Sequence, residues 1–136
     1  MSDIPGLRVG LKGTAEMVVG EQHTAPKVGS GRVHVLATPV MINLIEAAAL
    51  VAVEHLLPPG QQSLGTRLDV SHTAATPVGM GVSAEAELIK IDARLLTFRV
   101  SAADAIEPIG DGMHERVIVT LERFDQRVQK KAAKIG

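Results

Sequence analysis

The chain has 136 residues, which fits a single domain spanning residues 1–136, and 46% of them are hydrophobic, enough for a substantial core. Fourteen Lys and Arg nearly balance 15 Asp and Glu, and the chain has two Phe but no Tyr and no Trp. A nucleic-acid-binding groove usually has an excess of basic residues and aromatic side chains that stack on bases, and the sequence has neither. The absence of Cys excludes disulfides, thiolate metal sites and cysteine nucleophiles.

The hydropathy of the chain predicts neither a secretory signal nor a membrane span. The first twenty residues hold no long apolar segment of the kind a signal peptide needs. The longest uninterrupted apolar run covers residues 47–53, which is seven residues, whereas a bilayer span requires about 20. We therefore expect a cytoplasmic protein that does not cross a membrane.

The first predicted elements are a strand over residues 11–19 and a polar loop over residues 20–32. A long helix follows over residues 39–57, because Thr38 is a favoured N-cap and Pro39 a favoured first helical residue. Pro-Pro-Gly at 58–60 ends it. Almost every side chain on this helix is apolar, which is typical of a buried core helix, so other elements must wrap around it.

Four strands are predicted after the helix, over residues 63–75, 81–91, 96–101 and 113–121. Apolar and polar residues alternate in them, so each strand has one core face, and the short connections predict antiparallel pairing. Residues 125–134 predict a solvated helix. The predicted core face of the last strand consists of Met113, Val117, Val119 and Leu121.

The order of the predicted elements indicates an α+β chain of the hot-dog fold, in which an antiparallel β-sheet wraps around a long central helix. One such sheet covers only part of the helix. We therefore expect a homodimer, in which the sheet continues across two subunits.

Glu46 is the strongest single signal, because it is the only ionisable residue between Thr38 and Glu54. A lone carboxylate inside an apolar helix must be paired, protonated or open to a cavity, since burying it unpaired is costly. A carboxylate with a purely structural role, in the core or at a dimer seam, is the alternative. Perturbed buried carboxylates otherwise mark functional sites, which favours the functional interpretation.

His72 and Thr38 are the two candidates that accompany Glu46. Strand alternation places His72 on the helix-facing side with Leu68 and Val70, where a lone histidine is usually a core residue unless a partner such as Glu46 is available. Thr38 suffices as an N-cap. The start of a helix also gathers free N–H groups and the positive dipole end, which suits a developing oxyanion.

Further candidates would bind substrate. Gly65 allows close approach of a ligand to the backbone or marks a plain bulge, and Asn43 lies one turn before Glu46, where it could line the same pocket. His114 and Arg116 share a strand face, for which a solvated pair is the favoured interpretation; Arg116 is also a candidate substrate contact.

Other features of the sequence predict no additional site. Cationic residues of the tail would either meet coenzyme A phosphates or, as we favour, form a solvated helix face. The remaining histidines show no metal-ligand spacing, so we expect neither a metal nor a cofactor.

Four short segments resemble sequences of the fluoroacetyl-CoA thioesterase family: Ser-Leu-Gly-Thr at 63–66, His-Thr-Ala-Ala-Thr-Pro at 72–77, Arg-Val-Ser-Ala at 99–102 and Ile-Gly-Asp-Gly-Met-His-Glu-Arg at 109–116. The resemblance spans residues 35–131.

The active site of that family contains a Thr and a Glu eight positions apart on the central helix and a His 26 positions after the Glu. Thr38, Glu46 and His72 have both spacings, and Gly65 matches the family's glycine in the strand before the His. The resemblance therefore implies that these three are the catalytic groups.

The resemblance implies hydrolysis of an acyl-CoA to a carboxylic acid and coenzyme A. Thr38 would attack the carbonyl or orient a water, Glu46 would act as base or nucleophile, and His72 would shuttle a proton or polarise the carbonyl. Residues 20–36 lack the phenylalanines of the family's lid, with Arg32 and His34 in that stretch, so we expect a small acyl group other than fluoroacetyl.

Three other functions compete with thioester hydrolysis. A non-catalytic protein that binds an acyl-CoA or another small ligand is the main alternative. A hot-dog dehydratase or hydratase fits the Thr, Glu and His spacing poorly, and the charge at Glu46 argues against a purely structural dimer.

Overall fold

The computed structural model describes residues 4–135 and contains one antiparallel sheet. The strands lie in the order β1-β3-β4-β5-β2, so β1 and β2 form the two edges. The predicted antiparallel sheet around one long helix is thereby confirmed. The strands are β1 (Lys12–Val18), β2 (Gln61–His72), β3 (Gly81–Asp92), β4 (Leu95–Asp104) and β5 (Pro108–Thr120).

Within the described residues, three α-helices accompany the sheet: α1 (Ala25–Val28), α2 (Thr38–Val53) and α3 (Leu121–Ala133). Short 3-10 turns, Glu21–His23 and Glu54–Leu56, precede α1 and follow α2. The segment predicted as a loop over 20–32 is therefore partly helical.

The start of α2 differs from the prediction by one residue. Ala37 is the N-cap, while Thr38 is the first helical residue and makes no side-chain capping bond. The predicted capping role of Thr38 is therefore wrong, and its hydroxyl is available for another partner. Pro39 follows in the first turn, where its missing N–H costs no intrahelical bond.

The inner side of α2 packs mainly over β1 and β3, with Met41 and Ile45 fully buried. Gly13 of β1 allows this close packing, because a Cβ there would lie 2.2 Å from the Ala48 carbonyl oxygen. Only glycine therefore lets the first strand pass directly beneath the helix.

The opposite side of α2 is open to solvent, so the prediction of a helix buried all round is wrong for a single subunit. Val51 is 54% exposed, and Asn43 is exposed as well. The physical reason is that α2 barely touches β2, so the sheet covers the helix from one side only.

The segment Thr38–Leu56 is 19 residues long and apolar enough to cross a membrane by length and composition alone, which the length of the uninterrupted apolar run did not reveal. Core helices of soluble proteins have the same composition, and 39% of this segment is buried inside the structure.

The face of β5 that points inward was predicted wrongly. His114, Arg116 and Ile118 are buried, whereas Met113 is 38% exposed and Val117 is only half-buried. Met113, Val117 and Val119 instead lie on the outer face, where Val117 and Val119 border α3, whereas the apolar Ile118 lies on the inner face. The two-residue alternation along β5 was predicted correctly. Because each face of this strand has a neighbouring helix, the positions of the apolar residues did not identify which face points to the core.

Candidate active site

Thr38 and His72 meet at the place where α2 begins and β2 ends. The Thr38 Oγ1 atom lies 2.7 Å from His72 Nδ1. The backbone of His72 pairs with Gly110 of β5, and its side chain is on the inner face of the sheet, as the alternation predicts. The two residues are 34 positions apart in the sequence, so only the tertiary fold brings them together.

Burial lowers the pKa of His72 from its ordinary value, although the backbone of Ala74 opposes this shift. The imidazole is therefore mainly neutral near pH 7, and a neutral imidazole can accept the hydroxyl proton of Thr38 at Nδ1. Among residues 4–135, the buried Nε2 atom of His72 has no hydrogen-bond partner. A hydroxyl in contact with a neutral histidine is the usual arrangement of a nucleophile and its base.

A concavity of about 300 Å³ opens beside this pair. Short side chains line it, including Ala25, Ala74 and Ala75, together with Val35 and Leu36 of the loop before α2. That loop is held down by the backbone bond from Leu36 N to the Thr76 carbonyl. A larger concavity, about 520 Å³, lies between β1, β3 and β4 and contains none of the predicted site residues.

Glu46 lies on the same helix, α2, but away from the Thr38–His72 pair. Its side chain is 35% exposed, and its Oε2 atom lies 3.4 Å from Arg116 Nη1. The structure gives it no hydrogen bond to Thr38 or His72 of its own chain. Eight helical residues correspond to about 12 Å along the axis, so Glu46 and Thr38 stand two turns apart.

Gly65 lies directly against the Glu46 carboxylate. A Cβ at this position would be 2.7 Å from Glu46 Oε2 and 3.2 Å from His114 Cε1. The backbone register of β2 also shifts here, between Gly65 and Arg67, which is the bulge that the sequence left open. The glycine is therefore needed for the carboxylate to approach the strand.

With Glu46 in the catalytic role that the resemblance implies, we expect Gly65→Ala to lower kcat for a short acyl-CoA by about tenfold, or about 1.4 kcal/mol of barrier, because the added methyl displaces the Glu46 carboxylate. Gly81→Ala is the matched control, since a Cβ there meets nothing closer than 3.9 Å. Steady-state rates of both variants check this. Equal rates for the two would show that the position of the carboxylate does not matter.

His114 and Arg116 are buried, 0% and 5% exposed, so the favoured interpretation of a solvated pair is wrong. Arg116 donates from Nε to Ser63 Oγ at 2.8 Å and from Nη2 to the Ser63 carbonyl at 3.0 Å. Ser63 in turn donates to Glu54 from its backbone N–H and its hydroxyl, at 2.9 and 2.6 Å. Burial is compatible with the charge of Arg116 because these acceptors surround it.

Sequence reasoning missed Ser63 and Glu54 as members of this cluster. In the sequence, Glu54 was only the next charged residue after Glu46, and Ser63 was only part of a segment that resembles the family. The available signal was the pair of polar residues at alternate positions of β5, His114 and Arg116, which need buried partners if that face is the inner one.

His114 is held in one neutral form. Its Nδ1 atom is 2.8 Å from the Arg67 carbonyl, which can only accept, and its Nε2 atom is 3.2 Å from Arg116 Nη1, which can only donate. The ring also stacks on Phe98, with centroids 6.1 Å apart. Burial lowers the pKa of His114 first of all; the Arg67 carbonyl opposes the shift and the Arg116 charge adds to it.

We expect the protein to lose stability as the pH falls below 6.5, the ordinary histidine value. His114 and His72 have lowered pKa values in the folded state, so the unfolded chain binds protons first and unfolding becomes easier. The charges near His114 are Arg116, which strengthens the effect, and Glu46 and Glu115, which weaken it.

Urea unfolding between pH 5 and 8 measures this dependence. His114→Gln should flatten the curve, because glutamine keeps an acceptor for Arg116 and does not titrate. A curve of unchanged slope would remove His114 as its origin.

Asn43 lies exposed on α2, one turn before Glu46. Among residues 4–135 there is no group of three or more metal-ligating side chains that could hold a metal ion.

Comparison with known proteins points to one group of enzymes. The family model described as fluoroacetyl-CoA-specific thioesterase matches residues 19–122. The fluoroacetyl-CoA thioesterase of Streptantibioticus cattleyicolor is 41% identical over 133 residues, covering 93% of this chain and 95% of that protein.

Solved structures agree. A structure of the fluoroacetyl-CoA thioesterase aligns with a TM-score of 0.87 at 40% identity, covering 93% of this chain and 98% of that one. A structure of an alanine mutant of that enzyme with fluoroacetate and CoA aligns with a TM-score of 0.80 at 40% identity, covering 87% and 99%. A thioesterase superfamily member from Thermus thermophilus aligns with a TM-score of 0.87 at 26% identity, covering 98% and 97%. These alignments confirm the predicted hot-dog fold.

Proposed function

Because the chain belongs to the fluoroacetyl-CoA-specific thioesterase family and is an acyl-CoA thioester hydrolase, we propose that it hydrolyses a small acyl-CoA with Thr38, Glu46 and His72 as its catalytic groups. The observation that carries this assignment is the 2.7 Å contact of Thr38 Oγ1 with His72 Nδ1 beside a concavity at the start of α2. No observation favours the non-catalytic alternative.

In the proposed reaction Thr38 attacks the thioester carbonyl while His72 takes the hydroxyl proton. The C–S bond then breaks, and His72 returns the proton to the departing coenzyme A thiolate. A water activated by Glu46 hydrolyses the acyl-threonine, releasing the carboxylic acid and restoring the hydroxyl. The positive end of the α2 dipole lies beside Thr38, where the oxyanion develops.

The proposed enzyme is a homodimer joined along β2. This strand is an edge of the sheet, twelve residues long, and an uncovered edge of that length would otherwise attract other strands. Leu68 on β2 and Val51 on α2 are 40% and 54% exposed, so the side where α2 leaves the sheet uncovered is apolar. A second copy would cover both.

The dimer also offers a way to bring Glu46 to the Thr38–His72 pair. Within one chain Glu46 is about two helical turns from Thr38, and His72 Nε2 has no partner in residues 4–135. We propose that Glu46 of a second copy serves the pair of the first. Mixing Glu46→Gln with His72→Ala subunits should then restore about a quarter of wild-type activity, because half of a random mixture is heterodimer with one intact site of two.

The proposed substrate is a small acyl-CoA other than fluoroacetyl-CoA. Residues 20–36 contain no aromatic side chain, and alanines line the concavity. Arg94, Arg123 and the other cations near α3 are exposed and do not enter that concavity. We also propose that the protein is soluble and cytoplasmic, in keeping with the packing of α2 against the sheet.

The test is a hydrolysis screen over acetyl-, fluoroacetyl-, propionyl- and longer acyl-CoAs, run beside size-exclusion chromatography. Free thiol release that is fastest for a short acyl group, from a species of twice the chain mass, is the expected result. Preference for a long acyl chain would contradict the proposed substrate, and an active monomer would contradict the shared site.

A further inference from the structure

We propose that Arg94, Arg123 and Arg127 form a binding site for a phosphate group, in a concavity between α3 and the end of β5. The phosphates of coenzyme A and those of a free phosphorylated compound share this chemistry. The first source rests on the proposed function, whereas the second does not. The proposal replaces the interpretation of Arg123 and Arg127 as part of a solvated helix face.

The charges of α3 are sorted onto one side of the helix. At about 100° per residue, the cations of α3 and its C-cap fall within about 100° of the helix circumference: Arg123, Arg127, Lys130, Lys131 and Lys134. No Asp or Glu stands three or four positions from any of them, whereas Arg123 and Arg127 are themselves four positions apart. Like charges at this spacing destabilise a helix, and a bound anion would relieve their repulsion.

Arg123 is the least expected of these cations. Lys130 and Lys131 lie in the last turn of α3, where the negative end of the helix dipole favours a positive charge. Arg123 is instead the third residue of α3, where the positive end of the dipole disfavours it. Among residues 4–135, neither Arg123 nor Arg127 forms an ion pair. An external anion would supply the partner that the chain does not.

Arg94 brings a third guanidinium to the same place from another element. It lies between β3 and β4, donates from Nη1 to the Ile118 carbonyl at 3.3 Å, and accepts the Ile118 N–H at its own carbonyl at 2.9 Å. The preceding Ala93 has a φ of 54°, a left-handed conformation that alanine adopts at a cost. Arg94 is therefore fixed against β5, and within the described residues four of its five N–H donors have no acceptor.

The three arginines line one concavity of about 230 Å³, together with Phe124, Thr120 and part of β5. None of the described residues that line it is an Asp or Glu. Arginine is the side chain suited to bidentate phosphate recognition, and the cations of α3 beyond the concavity are all lysines. Pockets that enclose a whole small molecule measure roughly 300–1,000 Å³. The concavity therefore suits one phosphate-bearing end of a larger molecule.

The position of the concavity leaves both sources of phosphate to be tested. Val117, which lines it, follows Gly110 by seven residues, or about 23 Å of strand, and Gly110 is the strand partner of His72. The concavity also lies on the outer face of β5, whereas His72 is on the inner face of the sheet. Coenzyme A would have to span this separation or reach from a second copy, and a free phosphorylated compound would not.

The first experiment is isothermal titration calorimetry of the full chain with inorganic phosphate and with inorganic pyrophosphate. The triple variant Arg94→Gln, Arg123→Gln, Arg127→Gln should raise the Kd of both anions at least about tenfold, because it removes the bidentate donors. Its thermal melt without phosphate should match the wild type, since the repulsion along α3 is relieved. Arg127→Gln alone is the milder variant if the triple variant does not fold, and should raise the Kd at least about threefold.

The matched control is the triple variant Lys130→Gln, Lys131→Gln, Lys134→Gln, which removes the same charge from the same end of the chain outside the concavity. It should change the Kd by less than about threefold, because net charge alone gives no bidentate contact. Equal weakening in the two triple variants would overturn the site. The absence of binding of either anion by the wild type at about 10 mM would overturn it as well.

The second experiment identifies the source of the phosphate by steady-state kinetics with acetyl-CoA and with acetylpantetheine, which has no phosphate. If coenzyme A supplies the group, the arginine triple variant should raise KM for acetyl-CoA at least about tenfold with kcat retained, and leave KM for acetylpantetheine within about twofold. If a free compound supplies it, both KM values should stay unchanged while phosphate binding is lost. A wild-type protein that binds phosphate but hydrolyses neither substrate would overturn the proposed function and not this site.

Discussion

Glu46→Gln is expected to lower kcat for a short acyl-CoA by at least about 100-fold, or about 2.7 kcal/mol of barrier, while the protein stays folded. Glutamine has nearly the shape of glutamate but cannot take a proton from water. The side-chain oxygen of the glutamine can still accept a hydrogen bond from Arg116, so the contact between residue 46 and Arg116 beside Gly65 is retained. Steady-state kinetics measures the loss of kcat, and a thermal melt checks that the variant stays folded.

Glu85→Gln is the matched control for the loss of one carboxylate. Glu85 is exposed on the outer face of β3, away from the concavity beside Thr38, and its loss should leave kcat unchanged. If Glu46→Gln hydrolyses at the control rate, Glu46 has a structural role, which is the alternative that the sequence left open.

His72→Ala is expected to lower kcat by a similar factor, at least about 100-fold, because Thr38 loses the imidazole that accepts its proton. The wild-type rate should fall on the acid side of the pH profile, as protonation of His72 removes the acceptor. The lowered pKa of His72 places this loss below pH 6.5, with full activity above it.

His55→Ala is the control, since His55 is exposed in the turn after α2. Thr38→Ser should retain much of the activity and Thr38→Ala should lose it if the hydroxyl is the nucleophile. A His72→Ala enzyme that still turns over at the rate of the control would place the base elsewhere.

Much of the fold was predictable because it depends on local patterns. The predicted helix over 39–57 differs by one residue at each end from α2 together with its 3-10 turn, since Pro39 and Pro58 limit it from both sides. The strands followed from alternation and from short connections. The last strand begins five residues earlier than predicted, because Gly110 and Gly112 gave no apolar alternation to read.

The candidate site was predictable only in part. The resemblance to the family, whose spacings Thr38, Glu46 and His72 match, implied these three residues, and the contact between the first and last of them is present. The pairing of Glu46 with Arg116 was not predictable, because Arg116 lies on a strand and is 70 positions away in the sequence. A pairing of this separation depends on strand order, which local patterns do not contain.

The sequence by itself determined the helix and the antiparallel strands, because periodicity is a property of neighbouring residues, and its resemblance to the fluoroacetyl-CoA thioesterase family supplied the catalytic candidates. Only the tertiary structure decided that Thr38 is the first helical residue and not the cap, and that β5 turns His114 and Arg116 inward. Val117 and Val119 lie on the outer face of that strand, where they border α3. His114 and Arg116 can lie on the inner face beside Ile118 because Ser63 and Glu46 accept from Arg116, and Glu54 accepts from Ser63. Which side of a strand is the core depends on what packs against each face, and those partners are distant in sequence.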